Sequence, residues 1–421
     1  MVARWKQRSR LGSEFNKVWL SKAVSNLGDG VSLAAGPLLV ASLTSDPILV
    51  SGAVFVRQLP WLLFSLPAGV MVDRVDRRKL IITVNLARGL LLALLCFAVA
   101  SDFVTVALIY AVFFCMGTAA TLADNASSTL LPSIVPDEQL TQANSRVVTT
   151  WLLGNQFVGP PVGALLFTIA PALPIGFDAY TFGFAGLVLV TLRWRPERSP
   201  QAQATSVRDS LREGTHWLMR QRTLRTLAVT VGLLNLTYML AFGVLVLYAR
   251  ERLGASEAAF GLLLTAGAVG GLLGSGLASR AEEHFGPGAL VRMGLVTETL
   301  SLVVLSVTRS FYVAAVALLL AAVVSTLWGI TVMGLRQRLV PDELRGRVGS
   351  VYLFLTIGGG ALGAALSGFV AHAGGIVAPF WTAAAANVML LLAVWRSFAN
   401  DKLLPVELLE PAKGAVPSGS E

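Results

Sequence analysis

Gly69-Val-Met-Val-Asp73-Arg74-Val-Asp76-Arg77-Arg78 is a short, strongly charged turn set between two apolar runs, about 48–71 and 80–100. A helix needs about 20 mostly apolar residues to cross the hydrocarbon core of a bilayer, and both runs are long enough. Working outward, twelve such runs can be marked: about 17–43, 48–71, 80–100, 103–124, 147–169, 173–192, 224–249, 257–279, 289–308, 311–333, 349–371 and 376–397. Composition agrees. Of 421 residues 55% are hydrophobic and 14% charged, with a mean hydropathy of +0.69, where an ordinary soluble protein carries roughly 25% charged residues. A water-soluble globule of this size has too little interior to hide that much apolar side chain. The chain reads as an all-α integral membrane protein, which disfavours a soluble enzyme. The first run is long and holds Asn26 and Asp29 where a signal peptide would have small residues for cleavage, so the N-terminus is expected to be retained.

The placement of charge orients these spans. Of the 33 basic residues, 28 fall in the terminal segments and in loops of one side, only 3 (Arg250, Arg252 and Arg309) on the other, and Arg57 and Arg88 lie inside spans. Lys and Arg accumulate in cytoplasmic loops, so both termini are expected in the cytoplasm. The net charge of +9 then reflects topology, with contact to anionic lipid as a secondary effect, and no nucleic-acid partner is expected. Cys96 and Cys115 sit in apolar runs, and His216, His284 and His372 have no ligand spacing, so neither a metal site nor a cofactor is expected.

One long hydrophilic stretch, 193–222, divides the spans six and six, and eight arginines lie between Arg193 and Arg225. Within it Leu211, Thr215 and Leu218 share a helical face beside Trp217, as in an amphipathic surface helix. The expected organisation is a first six-helix bundle (1–192), a cytoplasmic linker (193–222), a second bundle (223–399) and a cytoplasmic tail (400–421). A repeat supports the division. Val135-Pro136-Asp137-Glu138 after the fourth run recurs as Val340-Pro341-Asp342-Glu343 after the tenth, and Gly-rich stretches stand in the fifth and eleventh. Two related bundles with a cavity between them at mid-membrane are the layout of an alternating-access carrier.

The opening turn resembles the signature G-x-x-x-D-R-x-x-R-R of the major facilitator superfamily, matched at Gly69, Asp73, Arg74, Arg77 and Arg78. The resemblance implies twelve transmembrane helices in two pseudo-symmetric six-helix bundles, and a cytoplasmic gate at this turn. The equivalent turn of the second half, Gly274 to Arg280, keeps the glycine and a basic residue but not the Asp-Arg pair, so any latch is asymmetric. In the fifth run Gly154, Gly159, Pro160 and Gly163 resemble the superfamily's antiporter motif, with Ala164 at its last glycine. Gly and Pro there thin and bend a helix where two domains slide, or form a kink without bearing on transport direction. The string Ser25-Asn26-Leu-Gly28-Asp29-Gly30, with Gly36-Pro37, Asp73-Arg74, Leu131-Pro132 and Ala143-Asn144-Ser145, is similar to the drug:proton antiporter branch that includes macrolide-efflux and enterobactin-exporter-like proteins. The arginine that many superfamily antiporters carry in helix four is missing, since Phe113-Phe-Cys115-Met-Gly117 offers none.

Ionisable groups inside spans cost about 2.5–3.5 kcal/mol on insertion scales, which makes each a functional candidate. Asp29, flanked by Gly28 and Gly30 with Asn26 one turn earlier, leads for proton or substrate binding; a hydrogen bond to a neighbouring helix is its alternative. Either Arg57 or Arg88 can pair with a carboxylate; Arg57 is a candidate to reach the cavity, whereas for Arg88, on a helix that is outer in this fold, snorkelling is the favoured reading. Asp124 is placed at the cytoplasmic end of helix four, as a candidate to contact substrate or the basic turn or else as a gate or cap, and Asp178 at the membrane interface. Glu298 lies mid-helix, a candidate proton carrier, although helix nine is peripheral in the resembled fold, which favours a structural role. Among the aromatic residues Tyr238, Phe242 and Trp328 are the candidates for an apolar binding site. Together these readings point to a monomeric, non-enzymatic secondary carrier that uses the proton gradient to export an amphipathic small molecule: a macrolide-like drug, a siderophore or a secondary metabolite. A lipid or lysophospholipid flippase of the same fold is the alternative within transport, and a non-transporting receptor or scaffold the alternative outside it.

Overall fold

The computed structural model describes residues 11–72, 75–193 and 207–398, and their regular elements are all helical. The first half contains α1 (Ser13–Leu43), α2 (Pro47–Val72), α3 (Arg77–Ala100), α4 (Val106–Ile134), α5 (Leu140–Ile169) and α6 (Ala172–Val190). A surface helix α7 (Val207–Arg220) leads to α8 (Arg222–Phe242). The 51-residue run Glu257–Val307 turns at Gly286, which adopts φ 75°, into α9 (257–285) and α10 (287–307). There follow α11 (Phe311–Leu339), α12 (Arg345–Gly374) and α13 (Ala378–Val394). Ten of these runs are long and apolar enough to cross a membrane, and α13 is a shorter apolar helix. Counting the break at Gly286, an apolar helical segment stands at each expected span.

Local chemistry sets the helix ends. Asp76 accepts from the Lys79 N–H at 3.1 Å to start α3, Thr105 from Leu108 at 3.2 Å to start α4, and Ser256 from Ala259 at 3.3 Å to start α9. Each satisfies a backbone donor that has no partner within its helix. The repeated Val-Pro-Asp-Glu folds the same way twice: Gln139 N–H bonds Pro136 O at 2.9 Å, and Leu344 N–H bonds Pro341 O at 3.0 Å, each closing a short 3₁₀ turn. Several boundaries differ from expectation by six residues or more: α8 ends at Phe242 instead of 249, α9 at 285 instead of 279, and α11 runs to Leu339 instead of 333. Helix α4 runs on to Ile134 instead of ending near 124, and α5 begins at Leu140 instead of 147. In α4 the exposed Asp124 and the buried Ser127 both line a small cavity shared with other helices, so polarity there does not end the helix. The surface helix is longer than the expected amphipathic turn and docks on protein. Gly214 lies against the Arg347 backbone, Leu218 is buried, and Arg347 pairs with Glu213.

The two halves use glycine alike. In the first, Gly154, Gly159 and Gly163 of α5 lie on the α1 backbone at Leu27, Gly30 and Val31; a Cβ on Gly159 would sit 2.5 Å from the Gly30 Cα. In the second, Gly359 and Gly363 of α12 lie on the α8 backbone at Gly232 and Leu236. Other faces of the same two helices meet the other half. Gly261 of α9 packs on Pro160 and Ala164 of α5, while Gly368 of α12 packs on Pro47, Ile48 and Ser51 of α2. Because Pro160 and Pro161 have no N–H to give, the preceding turn Leu152–Val158 widens to π geometry, with Gly159 N–H bonded to Gly154 O.

Candidate functional site

Helix α1 carries Lys22, Asn26, Asp29 and Ser32 three or four residues apart, hence on one face. That face meets α3, α4 and α6. Arg88 of α3 donates from Nη2 to Asp29 Oδ1 at 2.8 Å, and its guanidinium lies 3.8 Å from the centre of the Phe182 ring of α6. Asp178 of α6 accepts hydrogen bonds from Ser32 and, at 3.3 Å, from Thr181. Its carboxylate rests against the Cα of Gly28, where any Cβ would collide with it. Lys22, Asn26, Asn85 and Asp124 join Asp29 and Arg88 around a cavity of about 50 Å³.

This arrangement corrects three expectations. Arg88 does not snorkel: it is 7% exposed and turned inward onto Asp29. Asp178 is not interfacial but fully buried, at 0%. Asp124 neither ends nor caps a helix, since α4 continues to Ile134, and it faces the small polar cavity. The signal for Asp178 was its spacing from Thr181, which puts two polar side chains on one face of an otherwise apolar helix. Nothing in a single sequence shows that this face meets Ser32. Asp29 does make a contact to a neighbouring helix, through an ion pair. Arg57 stands half-buried in α2, its carbonyl under Gly117 of α4, and makes no ion pair among the described residues. It is not among the residues lining the large cavity described next.

That larger cavity, about 650 Å³, lies between the halves. The first half contributes Leu33 of α1 and Leu152, Gln156 and Pro160 of α5; the second contributes residues of α8 to α11 and Phe380 of α13. Tyr238 and Phe242 stack with ring centres 5.6 Å apart and line it. Glu298 of α10 lines it too, so the outer position expected of that helix does not keep its carboxylate from the cavity. Glu298, Tyr238 and Ser325 also border an adjoining space of about 190 Å³, where Trp328 sits against Gly294 with a buried, unpartnered indole N–H. At the face away from the N-terminus Arg250 reaches across the halves to Ala41 O at 3.0 Å.

In the charged turn, Gly69 lies on the last turns of α2, and Asp73 and Arg74 lie outside the described residues. Arg77 and Arg78 open α3, and Arg78 donates to Val190 O at 2.8 Å, closing the end of α6 within its own half. No group of His, Cys, Asp or Glu able to hold a metal is found among the described residues.

Two halves of six spans related by repeat, with a cavity at their junction, define a membrane carrier of the major facilitator superfamily. Within it the chain belongs to the transmembrane secretion effector family, whose sequence model matches residues 11–408. It is 25% identical over 385 residues to the enterobactin exporter EntS of Shigella boydii serotype 4 (strain Sb227), an alignment covering 90% of this chain and 89% of that one. Its fold is similar to a bacterial homologue of the iron transporter ferroportin in an inward-facing state, with a TM-score of 0.72 at 17% identity over 93% of this chain and 100% of the other. It is also similar to the nucleoside transporter NupG, with a TM-score of 0.71 at 12% identity over 92% and 99%. The protein is thus a multi-pass membrane transporter, not an enzyme.

Proposed function

We propose that the protein is a proton-coupled exporter that moves an amphipathic small molecule by alternating access in the bacterial inner membrane, with both termini in the cytoplasm. The observation that carries this reading is the double duty of α1. Ser32 faces the buried Asp178 carboxylate, and the next residue, Leu33, faces the cavity between the halves. A change of charge at Asp29 or Asp178 therefore acts on a wall of the cavity, which is the linkage that coupling requires. Asp29 is the proton-binding group in this reading, with Arg88 as its counter-charge when the proton leaves. The name of the curated relative and the antiporter-like stretch at Gly154, Gly159, Pro160 and Gly163 support outward transport. The bias of basic residues supports the orientation, with Asp73 and Arg74 at a cytoplasmic gate. The moving bodies are then 1–192 and 223–399, joined by 193–222 and followed by the tail 400–421. The carrier works as a monomer among anionic lipids.

The test is transport in reconstituted vesicles under an imposed pH gradient, against a broad panel of amphiphiles. Gradient-dependent accumulation of at least one compound is expected, and it should vanish in Asp29→Asn while the variant stays folded. No gradient-dependent movement of any compound sinks the reading. Unchanged coupled transport in the variant removes Asp29 as the proton site.

A further inference from the structure

Carboxylates inside the first half have company. Asp29 holds Arg88, Asp124 shares its small cavity with Lys22, and Asp178 is held by two hydroxyl groups. Glu298 differs. It makes no hydrogen bond or ion pair among the described residues, and no Lys or Arg lines either space it borders. An ionised carboxylate in such surroundings is costly unless a positive charge joins it. Around it the cavity supplies what an apolar cation needs: the stacked Tyr238 and Phe242 rings, whose faces attract positive charge, and walls of Leu, Ala and Gly. Its volume of about 650 Å³ falls inside the range of roughly 300–1,000 Å³ typical of small-molecule sites.

We propose that the cavity between the halves binds an amphiphile carrying one positive charge, an alkylated ammonium or phosphonium on an apolar body, with Glu298 as its counter-ion. The proposal rests on the transport reading and narrows its substrate class. Neutral or anionic amphiphiles leave the carboxylate unmatched and bind less well.

Two ions of nearly the same size and shape but opposite charge test it: tetraphenylphosphonium and tetraphenylborate. Binding of each is measured by equilibrium dialysis to the full chain in lipid nanodiscs, with empty nanodiscs of the same lipid subtracted. The wild type should bind the phosphonium at least about tenfold more tightly than the borate, in keeping with the energy of a desolvated charge pair. Glu298→Gln should weaken the phosphonium by about tenfold and leave the borate unchanged or tighter. Glu298→Asp, which keeps the charge, should retain the preference. Equal binding of the two ions by the wild type, or full phosphonium affinity in a folded Glu298→Gln, overturns the proposal. If Glu298→Gln does not fold, the wild-type ratio alone decides. Movement driven by a pH gradient is read separately on the same preparation. A charge preference without such movement leaves the cation site standing and removes proton coupling, whereas driven movement of a neutral amphiphile with equal binding of both ions does the reverse.

Discussion

Replacing Arg88 by methionine keeps a long apolar stem in the core and removes the charge that faces Asp29 across 2.8 Å. Taking away one partner of a buried ion pair costs about 3–5 kcal/mol, because the other charge is left desolvated. The Asp29 side chain retains 22% exposure toward the small cavity, which places the expected loss near the lower end, about 3 kcal/mol. Loss of the guanidinium from the Phe182 ring adds up to about 1 kcal/mol. A double-mutant cycle with Asp29→Asn isolates the pair. Neutral hydrogen bonds between helices in a bilayer average only about 0.6 kcal/mol, so a coupling of at least about 2 kcal/mol is expected from a charged pair in this setting. The measurement is unfolding by SDS titration in mixed micelles, followed by circular dichroism, for the wild type, both single variants and the double variant. The double variant should be much less destabilised than the sum of the single ones. A coupling no larger than about 0.6 kcal/mol would show that Arg88 and Asp29 are ordinary polar neighbours and refute the pairing.

The crossing of α1 and α5 predicts that Gly159→Ala, whose Cβ would meet the Gly30 Cα at 2.5 Å, loses about 1–3 kcal/mol in the same titration, since two backbones cannot both give way. Gly329→Ala, with nothing within 4 Å, should stay within about 0.5 kcal/mol; equal losses at both sites would contradict the close crossing. At the face away from the N-terminus, Arg250→Ala removes the bond to Ala41 O. A charged hydrogen bond contributes about 1.5–3 kcal/mol, so a cysteine placed at Ala41, which is 5% exposed in the closed face, in a chain lacking Cys96 and Cys115, should react roughly tenfold faster with a membrane-impermeant maleimide. An unchanged rate would mean that this contact does not hold the face closed.

The number, order and approximate ends of the spans were legible because a bilayer demands long apolar runs, and few other folds produce twelve of them. The repeat around Pro136 and Pro341 was legible as well, and it closes the same backbone turn in both places. The misplaced end of α4 has a local cause: Asp124 and Ser127 look like the end of a span, yet they line a cavity with Lys22, Asn26 and Arg88 of other helices, and the helix continues past them. The site was legible by halves. Asp29 and the Tyr238, Phe242 and Glu298 group stood out as expensive or aromatic residues in spans. Arg88 stood out as a charge inside a span but its partner did not, and Asp178 was placed at the interface, because which helices touch is decided by small residues such as Gly28, whose missing side chain admits the Asp178 carboxylate. The composition of one helix cannot report its neighbour's orientation.

The glycine and proline faces of α5 and α12 fix where the molecule can part. Each helix is joined to its own half by backbone lying directly on backbone, and to the other half by Gly261 on Pro160 and Ala164, or by Gly368 on Pro47, Ile48 and Ser51. Gly, Ala and Pro lose almost no rotamer freedom when covered, whereas a long side chain such as Lys or Met loses as much as about 2 kcal/mol. If the halves part and close as proposed, a joint made largely of such residues is broken and remade with little entropy lost at each closing. On that reading the sliding surface is nearly smooth in the thermodynamic sense, with Gln58 against Met239 and Gly360 as a long side chain within it, and a flexible side chain placed at Gly261 or Gly368 is expected to slow turnover.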